Sequence, residues 1–369
     1  MRFIRYGYVN DALTKTYIVQ NIQSLGFHIH QQEYINYMDE QSRLGLHLLN
    51  VEFPRIFESC SIPLNDLFID FASEYPFLYE RLQGMAAFGY TQGRLIHELQ
   101  EGNDDLKEKV AQISAIFNVG ISLFDLVVDE LSTGIGFYKI INQEFLKDLM
   151  DLTKEISLKN VNYDENTADI IERLLIVFIF AFGMKCRHIY RLARNKHAWN
   201  QLSNSIFRLY YAEKTTSALE FNKIVSSDQW LDALKCKSVL PSITHSLISE
   251  ITMASDSKQG KNNVEDICCT IGHIFWLADD LSDTAKDLQA GIPSYITTKA
   301  AKFYSLENNF SNKLNLNESL IEAINDLCTF LSKLENDMES LLSSHAIQKS
   351  THDELLKFVK MYVNGWLIE

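Results

Sequence analysis

Between Phe77 and Leu240 this chain of 369 residues contains no proline, and the polar breaks within that span leave segments of 12 to 25 residues. Helix interiors tolerate proline and glycine poorly while loops attract both, so the span is free to be helical. Its apolar residues recur at steps of three and four, as in Leu106, Val110, Ile113, Ile116, Phe117 and Gly120, which is the period of one helix face. Alternating β-branched runs closed by Asn-Gly or Asp-Gly turns, the mark of hairpins, are missing. The chain is therefore expected to be all-α.

Breaks are expected near Gly102-Asn103-Asp104, Gly134-Ile135-Gly136, Asn160 to Asn166, Ser226-Ser227, Ser255 to Asn263, Gly291 to Ser294 and Asn308 to Asn317. About a dozen helices follow from them. The other prolines, Pro54, Pro63, Pro76, Pro241 and Pro293, read as further punctuation. No linker or internal repeat divides the chain, so residues 1–369 read as a single domain, with residues 1–80 a helical N-terminal extension packed on the bundle.

Composition narrows function. A hydrophobic content of 46% with 22% charged residues suits a chain that buries a large core. The net charge of −14 argues against nucleic acid, whose phosphates are gripped by clustered Lys and Arg. Six cysteines without CxxC spacing suggest neither a zinc site nor a disulfide framework. That and the lack of a signal-peptide pattern favour the cytoplasm. The most hydrophobic run, Leu174 to Met184, is well under the ~20 residues that span a bilayer. It reads as a central core helix, and no transmembrane segment is expected.

Within the greasy stretch FNVGISLFDLVVDELSTG, residues 117 to 134, Asp125 and Asp129 stand four positions apart. Aspartate is a poor helix former, and one inside an apolar helix needs a partner. Residues i and i+4 share a helix face roughly 6 Å apart along the axis, so the two carboxylates repel unless a cation sits between them. A second set follows in IGHIFWLADDLSDTAKDLQAGIPSY, where Asp279, Asp283 and Asp287 extend the same spacing over three turns. Asp280 is rotated away from them and reads either as a supporting group or as solvent-facing. Oxygen ligands without His or Cys suit a hard cation, and Mg²⁺ typically combines a few carboxylates with substrate phosphates.

These two segments resemble the aspartate-rich motifs of the isoprenoid synthase superfamily: class I terpene synthases, polyprenyl diphosphate synthases and squalene/phytoene synthases. Leu126 departs from the second aspartate of DDxxD, and Asp125 to Asp129 is similar to the DxxxD of squalene/phytoene synthases and of large, class IB terpene synthases. Asp279, Asp283 and Asp287 match the three ligand positions of (N/D)DxxSxxxE. In a second register, Asp283, Asp287, Gly291 and Tyr295 follow RDxxxDxxxGRxY, with one extra residue before the tyrosine and no Arg at position 282.

The resemblance implies a single helical bundle around a deep apolar cavity. It also implies a class I terpene synthase, a carbon–oxygen lyase that ionises an allylic isoprenyl diphosphate of C15 to C25 with Mg²⁺, three ions, or Mn²⁺ in their place. The carbocation then becomes a cyclic or linear terpene and diphosphate is released. The alternatives are head-to-head coupling of the squalene/phytoene type and a non-catalytic helical scaffold; chain elongation lacks a GGKRxRP-like segment. Catalytic metal ligands would be Asp125, Asp129, Asp279, Asp283 and Asp287. Diphosphate-binding candidates are Lys235, Lys237, Arg187, Arg191, Lys286 and Tyr295, although cations at 187 and 191 also fit a solvated helix end. Phe117, Phe124, Phe178, Phe182, Phe275, Trp276, Tyr362 and Trp366 are candidate cavity walls, whose π faces stabilise positive charge. A homodimer is left open.

Signatures of other chemistries, GxxxxGK(S/T), GxGxxG, HExxH, GxSxG and paired EExxH, do not occur.

Overall fold

The structure, a computed structural model, describes residues 16, 18–20, 23, 31–62, 65–129, 141–156, 170–216, 227–253, 261–290, 294–296, 298, 312–344 and 346–368. Among these residues there is no strand; residues 16, 18–20, 23, 295, 296 and 298 are helical, and twelve α-helices and one short π-helical turn have defined bounds. In chain order they are α1 (Gln31–His47), the π turn Leu48–Glu52, α2 (Phe53–Ser59), α3 (Asn65–Glu74), α4 (Pro76–Leu99), α5 (Asp104–Asp129) and α6 (Gln143–Met150). There follow α7 (Ile170–Ala193), α8 (Lys196–Thr216), α9 (Ser227–Glu250), α10 (Lys261–Ala290), α11 (Asn312–Ser343) and α12 (Lys349–Ile368).

The chain divides into two compact units, each assembled from separate stretches. One takes Asn36–Glu220 and Thr244–Val264; the other takes Met1–Ile35, Phe221–Ile243 and Glu265–Glu369. Residues 36–80 belong to the same unit as α4 to α8.

Helix starts follow side-chain capping. Asn103 Oδ1 accepts from Asp105 N at 2.9 Å as α5 opens, and Asp104 and Asp105 place negative charge on its first turn. Asn142 does the same for α6, accepting from Phe145 N at 2.9 Å. Pro76 opens α4, where a missing N–H costs nothing, and Pro54 is the second residue of α2, directly after the π turn. Between α7 and α8 lies a break without glycine or proline. There Arg194 takes φ 57° and Asn195 caps α8, accepting from Ala198 N while its Nδ2 donates to the Glu250 carbonyl at the end of α9. Pro241, read above as punctuation, instead lies inside α9, where it removes one N–H from the helix ladder. The expected breaks at Gly134-Ile135-Gly136 and Asn160 to Asn166 lie outside the described residues.

α4 packs on α5 through small residues. A Cβ at Gly89 would meet Asn118 Cβ at 2.5 Å and the Ser114 carbonyl oxygen at 2.6 Å, so glycine is what admits α5 this closely. The run Leu174 to Met184 forms the middle of α7 and is almost wholly buried. Phe178 lies among Phe53, Phe57 and Phe68 with ring centroids 5.2–6.0 Å away. One described helix is long and apolar enough to cross a membrane by length and composition, Asp104–Val127 of α5, and 78% of its most apolar window is buried, as in a core helix.

Candidate active site on two acidic helices

α5 and α7 run antiparallel. Phe117 meets Phe182 at 5.2 Å between centroids, and three residues further along α5 Gly120 faces Phe178. The missing side chain at Gly120 leaves space, and a cavity opens there. Its walls are Phe117, Gly120, Ile121 and Phe124 of α5, Phe178, Ile179 and Phe182 of α7, and Ile206, Leu209, Tyr210 and Glu213 of α8. The empty volume is ≈ 540 Å³, mouth included. Asp125, half-buried, stands one turn beyond Ile121 on the same face. Asp129 is the last described residue of α5, and its side chain lies outside the description. Four of the sequence-predicted wall residues, Phe117, Phe124, Phe178 and Phe182, thus line one cavity beneath Asp125.

Sequence reasoning passed over the α8 wall. Its signal was a carboxylate, Glu213, on the apolar face of Ile206, Leu209 and Tyr210, the same anomaly that singled out Asp125. Sequence reasoning also passed over His245, a wholly buried ring whose edge meets Phe117 at 5.4 Å. Neither of its nitrogens finds a hydrogen-bond partner, and burial drives its pKa down to about 3, so the ring is neutral.

On α10 the acids form a gradient: Asp279 is exposed, Asp283 half-buried and Asp287 buried. Burial raises Asp287 to a pKa of about 7, helped by the negative charges of Asp283 and Asp279 and opposed by Lys286 and a hydrogen bond with Ser294. Asp280 is buried and supports local structure: its Oδ2 accepts from Tyr295 N at 2.9 Å. Burial raises its pKa well above the carboxylate range, and Asp279 adds to the effect. One turn before Asp279, Phe275 heads a ring cluster, edge-on to Trp366 at 5.2 Å and to Phe358 at 5.8 Å, with Tyr362 tilted against both of those rings. Trp276 packs edge-on against Tyr295 at 5.1 Å.

The expected diphosphate ligands divide. Lys286 Nζ lies 3.7 Å from Asp283 Oδ2, beside the acidic face. The Tyr295 hydroxyl donates to Asp326 Oδ2 at 3.0 Å, a structural link. Lys235 is exposed, and its charge bears on Cys269 and His273; Lys237 is half-buried; both are on α9. Arg187 and Arg191 are a correction. Because α7 runs against α5, they lie beside the early part of α5, where Lys109 acts on His188, roughly 20 Å along the helix from Asp125. They do not share a site with it.

Among the described residues no group of three or more His, Cys, Asp or Glu side chains is drawn together to hold a metal ion. The donor chemistry nonetheless fits a hard cation. Three carboxylates share one face, and burial followed by like charge within the set raises the pKa of the deepest member; a bound divalent ion would remove that repulsion.

No protein-family model matches the chain, and comparison with curated proteins finds no match. Among solved structures, similarity is found to a geranylgeranyl pyrophosphate synthase at 14% identity, covering 96% of this chain and 99% of that one, with a TM-score of 0.47. The geranylgeranyl pyrophosphate synthase from Lactobacillus brevis gives 12% identity, 86% and 99% coverage and 0.49. A polyprenyl synthase from Caulobacter crescentus, complexed with calcium and isoprenyl diphosphate, gives 13%, 88% and 96%, and 0.48. At such identities and scores the likeness carries no inference about the chemistry of this chain.

Proposed function

We propose that the chain is an isoprenoid-diphosphate enzyme of the isoprenoid synthase fold, and within that class a terpene synthase acting on a single allylic diphosphate. The observation that carries the reading is the place of Asp125, one turn past an aromatic cavity on the same helix. The three-carboxylate face of α10 supports it.

In this reading Asp125, Asp129, Asp279, Asp283 and Asp287 would hold Mg²⁺, which would supply Lewis-acid pull on a leaving diphosphate. Lys286 places a positive charge beside the same oxygens. Phe117, Phe124 and Phe182 exclude water from the hydrocarbon and offer ring faces to positive charge as it develops. The edge of His245 lies behind Phe117. Neutral and buried, it adds no competing cation to that wall.

The test is incubation with Mg²⁺ and C10 to C25 allylic diphosphates, read by diphosphate release and mass spectrometry of the extract. A hydrocarbon or terpene alcohol of unchanged carbon count is expected. A C30 or C40 coupled product would assign head-to-head condensation instead. Elongation in the presence of isopentenyl diphosphate would assign a prenyltransferase, and no turnover with any substrate would favour a scaffold.

A further inference from the structure

At the far end of α7 from Asp125 a second cleft opens, with an empty volume of ≈ 1150 Å³, mouth included. Lys154, Lys185, Arg187 and Arg191 line it, with the His188 ring among them, against one acid, Glu155. A chain with net charge −14 has few basic groups to spare, so their gathering calls for a cause. Cations at a helix C-terminus commonly serve the helix dipole, but for that they need only be solvated. Arg187 is instead buried, 4% exposed. Its Nη2 donates to the carbonyls of Asp151 and Lys154, which fixes the guanidinium, while its Nε is buried without an acceptor.

The surrounding charge is unbalanced. Burial and then Arg191 pull the pKa of Arg187 below its ordinary value, with Asp151 opposing. Burial, Lys185, Lys109 and Arg191 press that of His188 down. Lys185 Nζ donates to Ser59 Oγ at 2.7 Å, a neutral partner, and Lys154 pairs with the exposed Asp148 at the rim. Among the described residues no carboxylate pairs with Lys185, Arg187 or Arg191. An anion bearing several oxygens would offset this repulsion, accept from Lys185 and Arg191, and give the buried arginine a counter-charge.

We infer that this cleft binds a phosphate-bearing anion at a site separate from the aspartate faces, with Arg191 and Lys185 contacting phosphate oxygens beside the fixed Arg187. The shared chemistry is the phosphate group, whether carried by a soluble diphosphate or by a lipid headgroup. The inference does not depend on the proposed catalysis, because chelator removes the metals on which that reading relies.

Calorimetric titration of the whole chain with inorganic diphosphate in EDTA is expected to show saturable binding. The Lys185→Gln/Arg191→Gln double variant should bind about tenfold or more weakly, and Asp125→Asn as tightly as the parent. Both altered side chains reach the surface, so an unchanged circular dichroism spectrum separates lost binding from lost fold. Co-sedimentation with phosphatidylcholine vesicles containing phosphatidic acid distinguishes the source. Vesicle binding lost in the double variant assigns a lipid headgroup; diphosphate binding with vesicles ignored assigns a soluble anion. No binding to either probe, or equal binding by parent and double variant, overturns the site.

Discussion

α5 and α10 carry their aspartates over aromatic ground of opposite kinds. On α5 the turns before Asp125 border a cavity, because Gly120 contributes no side chain opposite Phe178 of α7. On α10 the turn before Asp279 is filled: Phe275 sits edge-on to Phe358 and Trp366, and Trp276 sits against Tyr295. The electrostatics differ as well. Burial, with the charges of Asp283 and Asp279 added, raises Asp287 on α10 to about 7, whereas the α5 cavity has the neutral, wholly buried His245 behind it and one buried carboxylate, Glu213, in its wall. Under the proposed function the α5 wall would shape the hydrocarbon, while Asp125 and the α10 acids would carry the charge.

The sharpest way to break that picture is to neutralise one acid on each helix. Asp125→Asn and Asp283→Asn are each expected to lower turnover by roughly 10²–10³-fold or more, a range typical when a group that stabilises developing charge is removed. The melting temperature should stay within a few degrees of the parent. If one variant keeps its diphosphate-release rate while the other loses it, the two helices do not serve one reaction. Truncating the rings sharpens the same comparison. Phe275→Ala cuts into filled packing and should cost about 3 kcal/mol of unfolding free energy. Phe124→Ala, whose ring already borders empty space, should cost nearer 1 kcal/mol and shift the product profile instead. Equal losses in urea unfolding would show the α5 wall to be as closed as the α10 cluster.

The all-α class, the core role of Leu174 to Met184 and the acidic i, i+4 ladders were legible because each is a local periodicity. What escaped depends on contacts distant in sequence. Pro241 gives the same breaker signal whether it ends a helix or sits inside one, and only tertiary packing decides. The break at Arg194 and Asn195 carried a weak cue, an Asn in capping position, without glycine or proline to strengthen it. Arg187 and Arg191 had the right spacing for a shared face, but that face is set by the antiparallel run of α7 against α5. Their neighbours Lys154 and Ser59 are far off in the chain. His245 was one histidine among ten until the rings around it were placed.

Asp287 supplies a smaller test with a definite sign. Its pKa in the folded protein, about 7, exceeds the ordinary 3.8, so folding favours the protonated form. Its contribution is fully present below the unfolded value and is lost as pH rises through about 7. Asp287→Asn should therefore stabilise the metal-free protein by roughly 4 kcal/mol at pH 8 and by under about 1 kcal/mol at pH 4. Added Mg²⁺ should raise the melting temperature of the parent more than that of the variant. A pH-independent difference between the two would mean that like-charge crowding on α10 is relieved by some group other than the metal.

His245 gives the opposite slope, and so the finest comparison. Its folded pKa, about 3, lies below the ordinary 6.5, so stability is full above pH 6.5 and declines as pH falls toward 3. At pH 5 the penalty for keeping the ring neutral is roughly 1–2 kcal/mol. His245→Leu removes the titratable group while retaining apolar contact with Phe117. Its melting temperature relative to the parent should therefore improve by several degrees between pH 7 and pH 5, while Asp287→Asn loses its advantage over the same interval. The two curves crossing is the expected result. If the His245→Leu difference stayed flat while the Asp287→Asn difference changed, water or a polar partner would be reaching the imidazole, and the apolar enclosure behind the α5 wall would not be as dry as the ring contacts require.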